Sequence, residues 1–145
     1  MPPLHIEPLA EPLWPLLNKF YRRHNSSMKA LKGGHLWVAR EGEIVAGLCM
    51  TPVVGGQWLT GVFVDPAYRG QRLAARVIEA AVANVEGTVW LLCHPDLERL
   101  YQSMGFTQDT RLPQSLSERL VRYKRNKPMI AMGLDRLVRS TSNNV

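Results

Sequence analysis

The segment Val64-Asp65-Pro66-Ala67-Tyr68-Arg69-Gly70-Gln71-Arg72-Leu73-Ala74 joins an apolar strand to a helix and has the makings of an anion site. Upstream, Trp58 to Val64 is β-branched and aromatic, as a strand is, and Pro66 withdraws a backbone donor and stops it. Downstream, at about 100° per residue, Leu73, Val77, Ala81, Ala74, Val85 and Ile78 fall on one arc, while Arg72, Arg76 and Glu79 lie opposite. A helix is therefore expected that packs one face and wets the other. Its first turn leaves backbone N–H groups without partners and carries the positive end of the dipole, so a short glycine-containing loop there suits a phosphate. A loop that merely caps the helix would have the same glycine.

A second constellation follows about twenty residues on. Thr88 to Cys93 is a continuous apolar run between Gly87 and Pro95 and reads as a buried strand. Pro95 suits the first position of a short helix, Asp96 and Glu98 suit its positive end, Leu97, Leu100, Tyr101 and Met104 repeat at helical spacing, and Gly105 stops it. Tyr101 lies seven residues after His94, two helical turns, which projects both toward one side. Cys93 and His94 are adjacent on a strand and point to opposite faces, so they do not form a nucleophile pair. Cys49 and Cys93 have no metal-like spacing and read as buried free thiols.

These two segments together resemble the signatures of the GNAT superfamily of N-acetyltransferases. Arg69-Gly70-Gln71-Arg72-Leu73-Ala74 is similar to the acetyl-coenzyme A signature Q/R-x-x-G-x-G/A, with Val64-Asp65-Pro66 as its usual lead-in and Arg72 in place of the central glycine. His94 to Phe106 resembles N-x-x-A-x-x-L-Y-x-x-x-G-F: Leu100-Tyr101 and Gly105-Phe106 are in register, Leu97 replaces the small residue and His94 the asparagine. The resemblance implies an α/β (α+β) GNAT fold: a central mixed, mostly antiparallel sheet of about six or seven strands, splayed in the middle and flanked by helices. Gly61 is a candidate for the bulge that starts the splay, or an ordinary strand glycine. The resemblance runs from about Leu4 to Leu137, which gives a single domain over residues 1–139 and a polar tail over 140–145.

It also implies a co-substrate, acetyl-coenzyme A, with no metal. The backbone N–H groups of Gly70, Gln71, Arg72, Leu73 and Ala74 would hold the pyrophosphate, and the backbone of Phe63 and Val64 would pair with the pantetheine arm like an added strand. The Val64 N–H would then sit near the thioester carbonyl. Arg69 and Arg72 would add side-chain charge, or Arg72 would simply face solvent. Tyr101 holds the position of the general acid in many members, and a phenol with a pKa near ~10 stays protonated at neutral pH; its structural alternative is a partly buried aromatic. His94 would hydrogen-bond the cofactor or cap its helix. No general base is identified: Asp65, the acid that follows the strand, reads as a turn residue before Pro66.

The remaining elements fit the same order. Leu4 to Pro8 predicts a strand, Trp14 to Tyr21 a helix and Met28 to Leu31 a short second one, His35 to Arg40 and Ile44 to Pro52 a hairpin, and Met129 to Leu134 a last strand. Ser115-Leu116-Ser117-Glu118 reads as a capping box opening a basic amphipathic helix with Leu116, Leu120, Val121 and Tyr123 on its apolar face and Arg119, Arg122, Lys124, Arg125 and Lys127 crowding it. The net charge of +6 is concentrated there. A solvated face is favoured over nucleic-acid binding, because neither zinc spacing nor an aromatic RNA-binding motif accompanies it.

With 145 residues and 46% apolar content, the chain supports one core. No run of about 18 apolar residues could span a bilayer, and Met1 to Glu7 has no secretory pattern, so a cytoplasmic protein without a membrane partner is expected. The expected acceptor is an amine-bearing small molecule or peptide, walled by Tyr21, Arg22, His24, Met28 and the region of Leu112, and a homodimer is left open. A non-catalytic acyl-coenzyme A sensor is the competing class; it would keep the loop and lose the acid.

Overall fold

The computed structural model describes residues 3–30, 33–109 and 111–135, and these fall into two compact units. The tail expected at 140–145 lies outside the described residues, as does Leu31.

The first unit takes residues up to 51 together with 59–84. Its strands are β1 (His5–Leu9), β2 (His35–Glu41), most of β3 (Glu43–Val53) and the second part of β4 (Gly56–Val64). β1 pairs antiparallel with β2 from His5↔Arg40 to Leu9↔Leu36, and β2 turns at Gly42 into antiparallel β3. Ile44 to Met50 are buried without alternation, as expected of a strand covered on both faces. Helix α1 (Trp14–Arg23) approaches β3 so closely that a Cβ at Gly47 would lie 2.6 Å from Leu17 Cδ1. Helix α2 (Leu73–Val82) packs on β1 and β2 through Leu73, Ala75, Val77, Ile78, Ala81 and Val82. Val85, on the arc expected for this helix, falls beyond its end, because the helix stops at Val82.

The short helix expected at Met28 to Leu31 is replaced by irregular chain over Met28 to Ala30. Side chains divert its backbone donors: the Met28 N–H goes to Ser26 Oγ (3.1 Å) and the Ala30 N–H to Asn18 Oδ1 (2.9 Å), with Ala30 buried. Such local bonds compete with a helix and here they win.

The second unit takes residues 52–58 and those from 85 onward. The start of β4 runs parallel to β5 (Thr88–Cys93) over Gly56↔Thr88, Gln57↔Val89 and Trp58↔Trp90, and β5 pairs antiparallel with β7 (Ile130–Asp135), which also carries β6 (Thr107–Gln108). Strand order is β1-β2-β3-β4-β5-β7-β6, a seven-stranded, mostly antiparallel sheet of the expected kind. After β5, one 3₁₀ turn leads into α3 (Glu98–Gln102), and α4 (Gln114–Lys124) follows β6. Trp90 Nε1 donates to Asp109 (3.3 Å), whose other oxygen takes the Arg111 N–H (2.8 Å). Those bonds hold the Asp109 carboxyl below its usual range although burial opposes it.

The capping box expected at Ser115 is displaced. Pro113, extended at φ −60°, ψ 153°, is the N-cap, and its carbonyl accepts from Leu116 and Ser117. Ser115 is thus already helical and Glu118 takes a bond from Gln114 instead. Val121, expected on the apolar face, is 58% exposed, while Arg119, expected among the solvated cations, stacks 4.6 Å over Trp58. No helix among the described residues is long and apolar enough to cross a membrane.

Candidate active site

β4 ends on a fixed corner. The Asp65 N–H donates to Val45 O of β3 (2.8 Å), and because successive donors in a strand alternate between its edges, the Val64 N–H faces away from β3. Asp65 Oδ1 accepts the Ala67 N–H (2.9 Å) and caps a 3₁₀ turn over Pro66–Tyr68, the turn role expected of it. The Arg69 Nε–H reaches back to Val64 O (3.2 Å) and its guanidinium lies over Phe63 at 5.4 Å. Arg69 therefore braces the end of the strand as well as charging the loop.

Beyond Arg69 the backbone turns twice through the left-handed region, at Gly70 (φ +85°) and at Arg72 (φ +57°), the N-cap of α2. A Cβ at Gly70 would meet nothing within 4 Å. The consequence is a row of donors: among the described residues none of the N–H groups from Gly70 to Ala75 has an acceptor, and the first α-helical bond is Arg76 N–H to Arg72 O (3.1 Å). Six successive amides at the positive end of a helix, with an unobstructed glycine among them, fit a pyrophosphate. Arg72 occupies the conformation that costs a non-glycine residue about 1–2 kcal/mol, which is the physical reason a glycine is usual there.

A left-handed residue lies further back in the same strand. Gly61 adopts φ +67° inside β4, and the Tyr21 hydroxyl donates to its carbonyl at 2.6 Å. Burial raises the Tyr21 phenol above its usual range, with Cys49 adding to the effect. Tyr21, expected to line the acceptor side, is 1% exposed and holds the Gly61 carbonyl instead. His24 packs between the rings of Phe20 (5.1 Å) and Phe63 (5.7 Å), and its Nε2 lies 3.5 Å from Asp65 Oδ2. Arg22 lines a groove of about 450 Å³ with Glu11, Trp14 and Asn18.

In the second unit, His94 is the N-cap of the 3₁₀ turn, its Nδ1 accepting the Asp96 N–H (3.0 Å). Of its two expected roles, capping is the one the geometry displays. That turn has three residues per rotation, so the two-full-turn spacing from His94 to Tyr101 does not hold as a continuous α-helix would give it. Tyr101 is 8% exposed and meets Phe106 edge-on at 5.9 Å. Its phenol, expected near its ordinary value, is pushed up to about 12 by burial, with Cys93 adding to it. Among the described residues its hydroxyl has no hydrogen-bond partner. Cys93 is buried, near Met132 Sδ (3.9 Å), and its thiol is pushed up to about 11 by burial and Glu98: an inert structural thiol, as expected.

The sequence profile of the acetyltransferase (GNAT) domain matches residues 32–108, spanning the hairpin, the loop and the α3 segment just described. The chain belongs to the GNAT acetyltransferases. Solved structures share this acetyltransferase's fold at low identity. Escherichia coli ribosomal-protein-S18-alanine N-acetyltransferase is 19% identical over 94% of this chain and 96% of its own, with a TM-score of 0.68. Escherichia coli ElaA is 16% identical over 92% and 100%, at 0.67. An acyl-CoA N-acyltransferase from Pseudomonas aeruginosa is 20% identical over 91% and 99%, at 0.63. No curated protein matches the sequence. The acetyltransferase is thus an acyltransferase enzyme whose acyl groups come from coenzyme A thioesters.

Proposed function

We propose that the enzyme moves an acetyl group from acetyl-coenzyme A to a primary amine of a small molecule or peptide, by direct attack of the amine on the thioester. The observation that carries this reading is the row of acceptor-free amides from Gly70 to Ala75, set directly after the strand end that Asp65 and Arg69 fix. Those amides would hold the pyrophosphate, with the Arg72 side chain beside them. The Val64 N–H, facing away from β3, would donate to the thioester carbonyl and strengthen as charge gathers on that oxygen during attack. Bound there, acetyl-coenzyme A supplies an activated acyl carbon and a sulfur leaving group.

Tyr101 would hand its phenolic proton to that sulfur as the carbon–sulfur bond breaks. A phenol raised to about 12 is fully protonated at neutral pH, so the proton is always available, although it is a weaker acid than an ordinary tyrosine. Strand and loop hold the thioester still while the amine arrives, which supports direct attack over a covalent enzyme intermediate: both cysteines are buried and the Cys93 thiol is raised to about 11. The test is a panel of polyamines, aminoglycosides, amino acids and peptides with free N-termini, followed by release of the coenzyme A thiol. Acetyl-dependent release with at least one amine is expected. Release that ignores every amine would remove the acceptor class, and no release at all would remove the transfer reading.

A further inference from the structure

An amine acceptor is an ammonium at neutral pH and has no lone pair to attack with, so a group near the thioester must take a proton from it first. We infer that His24 takes that proton and that Asp65 holds the imidazole for the task; the inference rests on the transfer reading above.

His24 closes α1, its N–H bonded to Tyr21 O (3.2 Å), and its side chain is 19% exposed between Phe20 and Phe63. Its Nε2 is buried and has no aligned hydrogen bond, but Asp65 Oδ2 lies 3.5 Å away. Asp65 cannot swing freely, because its N–H is tied to Val45 O and its Oδ1 to the Ala67 N–H. A carboxylate beside Nε2 favours the tautomer with its proton on that nitrogen, which would leave the lone pair on Nδ1. The position is as telling as the pairing. Phe63, under the imidazole, and Asp65, against it, flank Val64, whose N–H would meet the thioester carbonyl.

Of the charged groups around the imidazole, the carboxylate favours its cationic form and the arginines oppose it. Arg23 lies over the Phe20 ring (5.8 Å) and pairs with Glu43 (3.4 Å), and Arg69 lies over the Phe63 ring (5.4 Å), so each guanidinium is engaged by a ring or carboxylate of its own. The Tyr21 phenol is spent on Gly61. Asp65 is the carboxylate at ion-pair distance, and it compensates the imidazolium when that forms.

The protons balance. One ammonium N–H bond breaks, its electron pair stays on nitrogen, and the proton bonds to Nδ1, directly or through one water. The freed pair forms the C–N bond as the C–S bond breaks toward sulfur. The product nitrogen then loses a second proton to water, Tyr101 protonates the sulfur and is reprotonated from solvent, and His24 returns its proton to solvent.

The experiment compares wild type with His24→Phe, which refills the aromatic site, using the best acceptor of the amine panel from about pH 6 to about pH 10, with acetyl-coenzyme A affinity measured by calorimetry on the same samples. Removing a base costs about 10²- to 10⁴-fold in kcat/KM at neutral pH, and the deficit shrinks below about tenfold near pH 10, where roughly a quarter of a lysine-like amine is neutral without help. Cofactor affinity should be unchanged. In the free wild-type protein, nitrogen-15 spectra of labelled histidine should show the Nε2-protonated tautomer at residue 24. Asp65→Asn, which keeps the ring, should lose activity with the same pH shape, and it stands in if His24→Phe does not fold. A deficit that is constant with pH, activity within about threefold of wild type, or the Nδ1-protonated tautomer overturns the inference while leaving the transfer reading intact. Failure of wild type to bind acetyl-coenzyme A overturns both.

Discussion

Arg72 shows how one residue departs from a family pattern without losing its shape. The αL backbone that a glycine would adopt freely is kept, at φ +57°, by a residue with a long cationic side chain. Arg72→Gly relieves about 1–2 kcal/mol of strain and returns about 0.5–1 kcal/mol through the freer unfolded chain, so the melting temperature should hold or rise by a few degrees. Acetyl-coenzyme A affinity should nevertheless fall, by about fivefold at low salt, with the gap closing as salt is added. Equal affinity at every salt concentration would return Arg72 to the solvent. Tyr101→Phe makes a different demand. The ring keeps its contact with Phe106, and no hydrogen bond is lost among the described residues. Folding and cofactor affinity should therefore persist while kcat drops by about 10²- to 10⁴-fold. Nearly full kcat would reduce Tyr101 to a packing residue, and a parallel loss of affinity would make it a binding one.

At the scale of elements, the left-handed backbone of Gly61 in β4 is the clearest joint between sequence and site. Gly61 was legible only as one of two alternatives, because a glycine in a strand has the same neighbours in sequence whether it bulges or not. What requires a glycine there is Tyr21, forty residues upstream, whose hydroxyl fills the space a Cβ would need: that atom would lie 2.6 Å from the oxygen. Gly61→Ala should cost about 2–4 kcal/mol, combining left-handed strain with the clash, and urea unfolding would measure it. A cost under about 0.5 kcal/mol would mean that the Gly61 backbone is not constrained. The same logic explains what else was readable. Local signals, such as Pro66 ending β4 or Pro95 opening the turn after β5, acted where they stood. The misplaced pieces were those decided by distant or competing partners: Asn18 drawing the Ala30 N–H out of a helix, Pro113 starting α4 before Ser115, and Trp58 drawing Arg119 onto its ring. His24 and Asp65, forty-one residues apart, were each visible, one as acceptor wall and one as turn; their pairing was not.

Across the whole molecule, each unit buries one phenol, Tyr21 in the first and Tyr101 in the second, and burial raises both. A phenol raised above its unfolded value holds its proton more tightly in the folded chain. Its contribution is fully present below about pH 10 and is lost as pH climbs, for Tyr101 through the window that ends at about 12. Alkaline unfolding should therefore set in above pH ~10, and Tyr101→Phe should flatten that limb. The cationic residues from Arg119 to Lys127 are divided by the end of α4 at Lys124, and Arg119 lies over Trp58, so the run is not carried on one helix.

The central claim is that the Gly70 to Ala75 amides hold acetyl-coenzyme A, and calorimetric titration of wild type and Gly70→Val tests it most directly. A Cβ at Gly70 meets no protein atom, so the substitution adds bulk only where the pyrophosphate would approach, along with the strain of φ +85°. Wild type should bind at one site, and folded Gly70→Val should lose at least about tenfold in affinity for a melting-temperature drop of only a few degrees. No binding by wild type at millimolar cofactor, or equal affinity in the folded variant, would contradict the account.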